Sequence, residues 1–528
     1  MAKIIISEKD LTRPDNIEEN NNVVYIPGYS LMGPENTPTL CKTVKEFESI
    51  FGKEPYKFTQ NQEIETVRIA SAGEYEKSYI FAHEILNVGL PIIFNRIIPD
   101  SSAATKAKAV SEQLYINPIT ITAKEFGAYG NSIKCTFEPI TQSGTEDTPV
   151  VLGYKFREYL DDGIQKAETA SVKIISFDPN SENYFNNSLY QYVDFSVGTA
   201  SGSKASAQTV EISLSLGIDS FSLSYFYTYI NTTDTYEFIL DKNSCEVKYL
   251  TAGSYPSIIY SKNNFVDKCA KKLISIAEQR GDCTALIDFD NVKIDSSWIS
   301  KLNSSEYFDS NTSSKYASAF MPWGLYNIVS LKDSTTGLNL KSILPGSFAY
   351  LNCLANSIKT NADWYAIAGV NRGYISNLIQ LENPMTGAIA ETLQTSEGVS
   401  VNAILDIKPY GYCIWGNRTL NKNQNGLIAS SFLNIRTLTN DIKKLVYKVA
   451  KKLTFEQNSN ILWLNFKAAI EPTLDKIVSD NGLTDYKIIK LTTTKRATIA
   501  CKIRLVAIEA VEDWDITIEL ADSYTTVE

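Results

Sequence analysis

The sequence predicts an α+β multidomain protein, and three observations carry that reading. The chain has 528 residues, beyond the roughly 250–300 at which a single hydrophobic core stops growing. Tyrosine (30) and phenylalanine (22) are plentiful, and with many Thr, Val and Ile residues they point to extensive β-structure. Strand–helix alternation after residue 241 and two amphipathic helices within Leu433 to Asp480 supply the α component.

Composition excludes several function classes. A net charge of −10 argues against general nucleic-acid binding, which uses broad basic patches. No apolar run approaches the roughly 18 residues of a membrane span, and Ile4-Ile5-Ile6 is too short for a signal peptide before it meets Glu8 and Asp10. A cytoplasm-like setting without membrane insertion follows as the expectation. The 8 cysteines form no CxxC pair and read as reduced, buried thiols. The single histidine, His83, lies in the helix-like run Tyr79 to Leu86 and reads as a packed structural residue. It leaves Ser-His-Asp or Cys-His catalysis without a visible partner. No catalytic, cofactor-binding or metal residue is expected.

In chain order, residues 1–22 hold the β-prone Lys3-Ile4-Ile5-Ile6-Ser7 and a polar linker, Asp15 to Asn22. A lone strand cannot satisfy its own edges, so it frays or pairs with something distant or with another chain. Val23-Val24-Tyr25-Ile26 is a buried strand leading into a Gly- and Pro-rich turn, and Lys45 to Phe51 is a short helix stopped by Gly52. A helix from Tyr75 to Val88 and a strand from Leu90 to Ile98 complete an N-terminal α/β segment over 23–112. Gly28 and Gly33 belong to no GxGxxG or GxxxxGK[ST] pattern, so no phosphate cradle is expected.

Short alternating strands from Ile119 to about Tyr236 predict a β-sandwich-like insertion domain over 113–240, with a polar loop at Val197 to Ala207. A helix carrying Val266, Cys269, Leu273, Ile276 and Ala277, strands at Ala285 to Asp288 and Tyr316 to Trp323, and a helix from Gly346 to Ile358 predict an α/β domain over 241–398. Asp288 and Asp290 sit past a strand end, where α/β enzymes often place acids. Ser347 lacks the G-x-S-x-G elbow and His83 lies in another segment, so this domain reads as a scaffold, with a hydrolase as the rival.

The closing domain, 399–510, is organised around two helices. Leu438, Ile442, Leu445, Val446, Val449 and Leu453 fall in one apolar arc. Lys443, Lys444, Lys448, Lys451 and Lys452 fall on the other side and form a candidate binding face, against the simpler reading of a solvated helix surface. The second helix, Asn460 to Ser479, carries Leu462, Phe466, Ile470, Leu474 and Ile477, with Asn458 or Ser459 placed to cap it and Gly482 to end it. Within 511–528, Trp514 to Leu520 alternates strictly and is a second terminal strand in search of an edge.

These segments carry motifs that resemble contractile bacteriophage tail sheath proteins. The opening strand runs into Gly28, Gly33, Pro34 and Pro38, followed by Phe47-Glu48-Ser49-Ile50-Phe51-Gly52 and a strand ending Asn95-Arg96-Ile97. Ala123-Lys124 through Gly130-Asn131, Phe320-Met321-Pro322-Trp323, Pro345-Gly346-Ser347-Phe348-Ala349 and Ala368-Gly369-Val370-Asn371-Arg372-Gly373 follow in the family's order. Val401-Asn402-Ala403-Ile404, the run Gly411 to Leu420 with Trp415-Gly416-Asn417-Arg418-Thr419-Leu420, and Phe455-Glu456-Gln457-Asn458 with Trp463 complete the resemblance.

The resemblance implies a β-rich insertion domain, a subtilisin-like α/β domain without catalysis, and an inner C-terminal α+β domain with N- and C-terminal β-strand arms. It implies a non-enzymatic subunit of a contractile tail, assembled in the host cytoplasm into the virion. The implied subunit polymerises with itself as stacked hexameric rings around the tail tube protein, with baseplate and tail terminator proteins at the ends. The linking arms would use Ile4, Ile5, Ile6, Ile516, Ile518 and Leu520, and the lysine face would meet the tube. A phage-tail-like bacteriocin or a secretion-type injection system is the alternative setting for the same polymer.

Overall fold

Eight strands drawn from both halves of the chain make one sheet. The computed structural model describes residues 22–30, 32–52, 76–98, 104–142, 150–161, 166–168, 172–199, 205–218, 222–232, 236–304, 314–332, 339–394, 399–421, 427–493 and 498–512. The arm residues Ile4, Ile5, Ile6, Ile516, Ile518 and Leu520 lie outside these.

The sheet consists of β1 (Val24–Gly28), β2 (Thr39–Cys41), β3 (Ile92–Arg96), β4 (Tyr249–Leu250), β5 (Thr284–Ile287), β6 (Ala317–Met321), β7 (Asn402–Ile407) and β8 (Gly411–Trp415). Their spatial order is β2-β3-β1-β4-β5-β6-β7-β8. The inner strands pair parallel, and each edge is closed by one antiparallel strand, β2 or β8. Parallel strands covered on both faces read as continuous apolar runs, and β1, β3, β5 and β6 are buried throughout. Their alternation feeds two cores. Tyr25, Ile93, Ala285 and Ala317 face the helix α3 (Ala270–Arg280) and the helices Leu223–Thr232, Tyr236–Leu240 and Ser296–Ser304. Val24, Ile26, Phe94, Leu286 and Phe320 face α1 (Val44–Phe51), α2 (Glu76–Asn87) and α4 (Gly346–Ser357). Gly52 ends α1 with φ +84°, a conformation glycine adopts without strain.

The sheet redraws the expected domain borders. Segment 23–112 is not a separate unit, because β1, β2 and β3 share one sheet with strands of 249–415. The hairpin of β7 and β8, expected to open the C-terminal domain at 399, is the edge of that sheet instead. The period of 2 identifies a strand but does not say which sheet it joins.

The insertion leaves this body after β3 and closes where Thr105 pairs with Ile218. It holds a three-stranded and a five-stranded antiparallel sheet around Ile121, Phe137, Phe156, Phe177 and Phe195. Leu223–Thr232 and Tyr236–Leu240, in the stretch expected to continue its strands, are helices packed on the α/β body. Aromatic and threonine-rich composition suits strands, but Phe226, Tyr229, Ile230, Tyr236 and Ile239 recur at helical spacing and are buried. Val266, expected in a helix, sits in the strand Asn264–Asp267 of a hairpin whose turn residues Lys262 and Asn263 have φ of 50° and 59°. That turn matches the strand twist and favours a hairpin over helix propagation.

The joint between body and insertion is built on Arg96, which is fully buried. Its Nε and Nη1 donate to the carbonyls of Ser30 (3.0 Å) and Gly33 (2.9 Å), and Nη2 donates to Phe126 (3.0 Å). A buried guanidinium needs such partners for its whole fork. The Asn95-Arg96 pair at the end of β3 is therefore a structural rivet.

The C-terminal unit comprises α5 (Leu433–Lys452), α6 (Asn460–Ser479), β9 (Leu483–Leu491) and β10 (Ala500–Ala507). Ser459 caps α6 by accepting from Leu462 N at 3.1 Å, as its position predicts. Trp463, Phe466, Ile470, Leu474 and Ile477 of α6 join Leu438 and Ile442 of α5 in a separate core.

Candidate assembly interface

Helix α5 has two faces, and both are used within the chain. One packs on α6. The other bears the predicted lysines, but most of it turns onto the α/β body and not outward. Arg436 stacks on the Tyr316 ring (4.8 Å), and Asn440 Nδ2 donates to Thr284 Oγ1 (3.2 Å). Lys443 Nζ donates to Gly281 O and Tyr316 Oη, each at 2.8 Å, and Lys444 Nζ to Val247 O at 2.8 Å. Tyr447 Oη bonds Asn243 Oδ1 (3.0 Å), and Lys448 pairs with Glu246 (3.0 Å). These positions recur at three- and four-residue steps, so a single stripe of the helix makes a polar seam with the body. Lys451 and Lys452, in the last turn, are exposed.

At the seam's centre Lys248, 2% exposed, lies between Asp363 of the body (2.6 Å) and Asp441 of α5 (2.8 Å). Burial pushes the Asp441 carboxyl up to about 6, despite the attraction of Lys248. Burial also works against Asp363, but Lys248 holds it below the ordinary range. Lys444, partly desolvated in the seam and repelled by Lys248, is lowered to about 8. Removing the cation would leave two half-buried carboxylates facing each other, so the triad ties α5 to the body as a unit. Helical spacing gives the charges on α5 but not what meets them, and Lys248 carries no motif.

The β9–β10 hairpin packs one side on the helices. Tyr486, Ile488, Cys501, Ile503 and Leu505 face that core. Opposed pairs Lys487–Arg504 and Ile489–Lys502 lie on the other side. Among the described residues, these two strands pair only with each other, which leaves both edges open to another strand.

The rival catalytic residues are placed as follows. Ser347, at the start of α4, donates Oγ to Asp288 Oδ2 (2.6 Å) and its N–H to Oδ1 (3.1 Å). Gly346 lets α4 begin there, since a Cβ would meet Phe320 O at 2.2 Å. Burial pushes Asp288 up to about 7 against these two hydrogen bonds. Asp290 instead accepts from Tyr260 N at 3.0 Å. His83 is buried with Nε2 3.3 Å from Glu48 and Nδ1 3.3 Å from Glu84, so both ring nitrogens face carboxylates and neither meets Ser347. Serine and acid come together without the histidine.

Known proteins agree with this architecture. The chain is similar to the tail sheath protein of Vibrio phage KVP40, 27% identical over 128 residues, covering 24% of this chain and 18% of that protein. It is similar to the tail sheath protein of Enterobacteria phage T4, 23% identical over 290 residues, covering 52% and 41%. The chain thus spans less than half the length of these relatives. No protein-family model matches it. In structure it is similar to a sheath tail protein from Listeria innocua, with TM-score 0.55, 10% identity and coverage of 92% of this chain and 95% of that one. A second, from Desulfitobacterium hafniense, gives 0.52 and 12%, covering 96% and 100%. The chain has the fold of sheath tail proteins.

Within this sheath fold the closing motif is a stitch between β6, β7 and the start of α5. Asn402 donates to Ser318 Oγ (3.0 Å), Ala319 O (3.0 Å) and Arg418 O (2.9 Å), and its Oδ1 accepts from Arg418 N (2.7 Å). Asn417 Oδ1 accepts from Asn434 N (3.2 Å) in the first turn of α5. Arg418 stacks on Phe432 (4.7 Å) and pairs with Glu512, the last described residue. The motif therefore sets where the C-terminal unit leaves the sheath-fold body.

Proposed function

We propose that the chain is the structural subunit of a contractile tail sheath. It polymerises around the tail tube and contracts by subunit rearrangement, driving the tube through the host envelope. The observation that carries this is the open-edged hairpin β9–β10 in a chain with the sheath-protein fold and a strand-like segment beyond each end of its body. Strands lent to a neighbour's hairpin form heterologous contacts, which build open helical or ring-stacked assemblies. Each adds backbone hydrogen bonds of roughly 0.5–1.5 kcal/mol net. The linker Asp15 to Asn22 keeps moving subunits tethered. Contraction draws on a metastable lattice relaxing to larger interfaces and uses no nucleotide.

The partners in this reading are further copies in stacked, sixfold rings, the tube protein, and baseplate and terminator proteins at the ends. The setting is the virion tail, assembled in the host cytoplasm. A phage-tail-like bacteriocin or injection system would use the same polymer. The α/β body serves as a subtilisin-like scaffold without its chemistry, supported by the separation of His83 from the Ser347–Asp288 pair. The tube contact narrows from the five lysines to the exposed end of α5, Lys451 and Lys452, because Lys443 and Lys444 bond the chain's own backbone and Lys448 pairs with Glu246. Exposed ion pairs are weak, roughly 0–1 kcal/mol each, which suits a contact that must release.

Negative-stain electron microscopy of the purified chain is expected to show tubes or stacked rings, and with Lys451 and Lys452 changed to Glu these still form but fail to assemble on the tube. Persistent monomers at high concentration contradict the function. Normal tube-bound assembly of the variant removes the lysines from it.

A further inference from the structure

We propose that Arg436, with Lys443 and Lys315 around the Tyr316 ring, forms a receiving site for an oxyanion that the isolated chain does not supply. Burying a cation costs free energy unless an opposite charge and hydrogen bonds replace its water. The other buried Lys and Arg side chains among the described residues, Arg96, Lys248, Arg280 and Arg418, follow that rule. Arg96 lies 3.6 Å from Glu125, Lys248 between Asp363 and Asp441, Arg280 2.7 Å from Asp282, and Arg418 against Glu512. Arg436 is the exception. It is 6% exposed, and among the described residues its guanidinium meets the Tyr316 ring at 4.8 Å and that residue's hydroxyl, but no carboxylate. Its Nε is enclosed with no hydrogen-bond partner.

Two more cations turn to the same ring. Lys443 Nζ lies 5.0 Å from its centre and donates to Tyr316 Oη and Gly281 O, and Lys315 Nζ lies 5.8 Å from it. Neither has a carboxylate partner among the described residues, and Glu278, in the last turn of α3, accepts from Ser314 Oγ at 2.6 Å instead. Burial works against the Tyr316 phenol, but the hydrogen bond and charge of Lys443, with the charges of Arg436 and Lys315, hold it below the ordinary range, so the local potential is positive. Asn440, one turn beyond Arg436, leaves Oδ1 enclosed without a donor. A water between that oxygen and Nε would satisfy both hydrogen-bonding groups and still leave the charge uncompensated. What the site lacks is a negative charge. A planar guanidinium flanked by ammonium groups suits the paired oxygens of a carboxylate or a phosphate. Lys315 and Lys443 are exposed, so such a group can approach from solvent. Two sources carry this chemistry: dissolved phosphate, or an acidic side chain of a second copy, each copy having 60 acidic against 50 basic residues. The second source rests on the polymerisation reading above; the first does not.

The test compares the full chain with Arg436→Met, which keeps an apolar stem on Tyr316 and removes the charge. Thermal unfolding is followed in chloride and in phosphate at one pH and one ionic strength, at a chain concentration below assembly. In chloride the variant is expected to melt no lower than the unaltered chain, because it gives up a cation that has no counter-charge. Phosphate is expected to raise the melting temperature of the unaltered chain by about 1 °C or more and to leave that of the variant where it was. A variant that melts lower in chloride, an unaltered chain indifferent to phosphate, or an equal gain in both chains overturns the proposal. Polymerisation then assigns the source. If the variant needs an about tenfold higher concentration to assemble, the anion comes from a second copy; assembly at the unaltered concentration assigns it to solution. Should neither chain polymerise, the polymerisation reading fails while the phosphate result still decides the site.

Discussion

Asp288 and Ser347 show how a pair that resembles chemistry serves the fold. The carboxyl at the end of β5 holds the start of α4 through two hydrogen bonds, and His83 meets Glu48 and Glu84 instead. Burial places its pKa at about 7 against an ordinary 3.8, a gap on the order of 4 kcal/mol. The folded state holds a proton that the unfolded state lacks between those values, so this group's contribution to stability falls as pH rises from about 4 to about 7. Asp288→Asn is expected to flatten that slope and to raise the melting temperature relative to the unaltered protein at pH 8, measured by thermal unfolding across pH. An unchanged slope would show that the carboxyl is not held protonated. The acid itself was legible from its place after a strand, as was His83 as a packed residue. The partnership was not, because it joins residues 59 apart in sequence, and only the closed sheet brings them together.

Among elements, α5 divides the legible from the illegible most sharply. Its apolar arc, its partner α6 and the cap at Ser459 follow from local spacing and side-chain chemistry. Its lysine face was legible as a charged stripe, but the body that meets it comes from residues 243–248, 281–284 and 316, far away in the chain. The hairpin around Lys262 and Asn263 was missed for a local reason, since the signal is two residues with positive φ and not a hydrophobic period. Lys248→Met tests the seam. Two half-buried carboxylates without their cation are expected to loosen α5 by on the order of 2 kcal/mol at pH 8 and by less at pH 5, where they take up protons. Hydrogen exchange of α5 at the two pH values reads this; protection that stays at the unaltered level at pH 8 would show that the triad does not hold the seam.

For the whole molecule, the mixed architecture and the β-rich insertion were legible because hydrophobic period and composition report element type. The borders were not, since one sheet collects strands from 24–96 and 249–415 around an inserted domain. The sheath resemblance rested on motifs that the structure shows to be joints: Arg96 at the root of the insertion, Asn402 and Arg418 at the root of the C-terminal unit. In the function proposed above, exchange between copies falls to the segments beyond these joints. The most direct measurement is therefore electron microscopy and sedimentation of the full chain beside one ending at Glu512. Tubes or stacked rings are expected for the first and separate, folded subunits for the second; equal polymers from both would contradict strand exchange between copies.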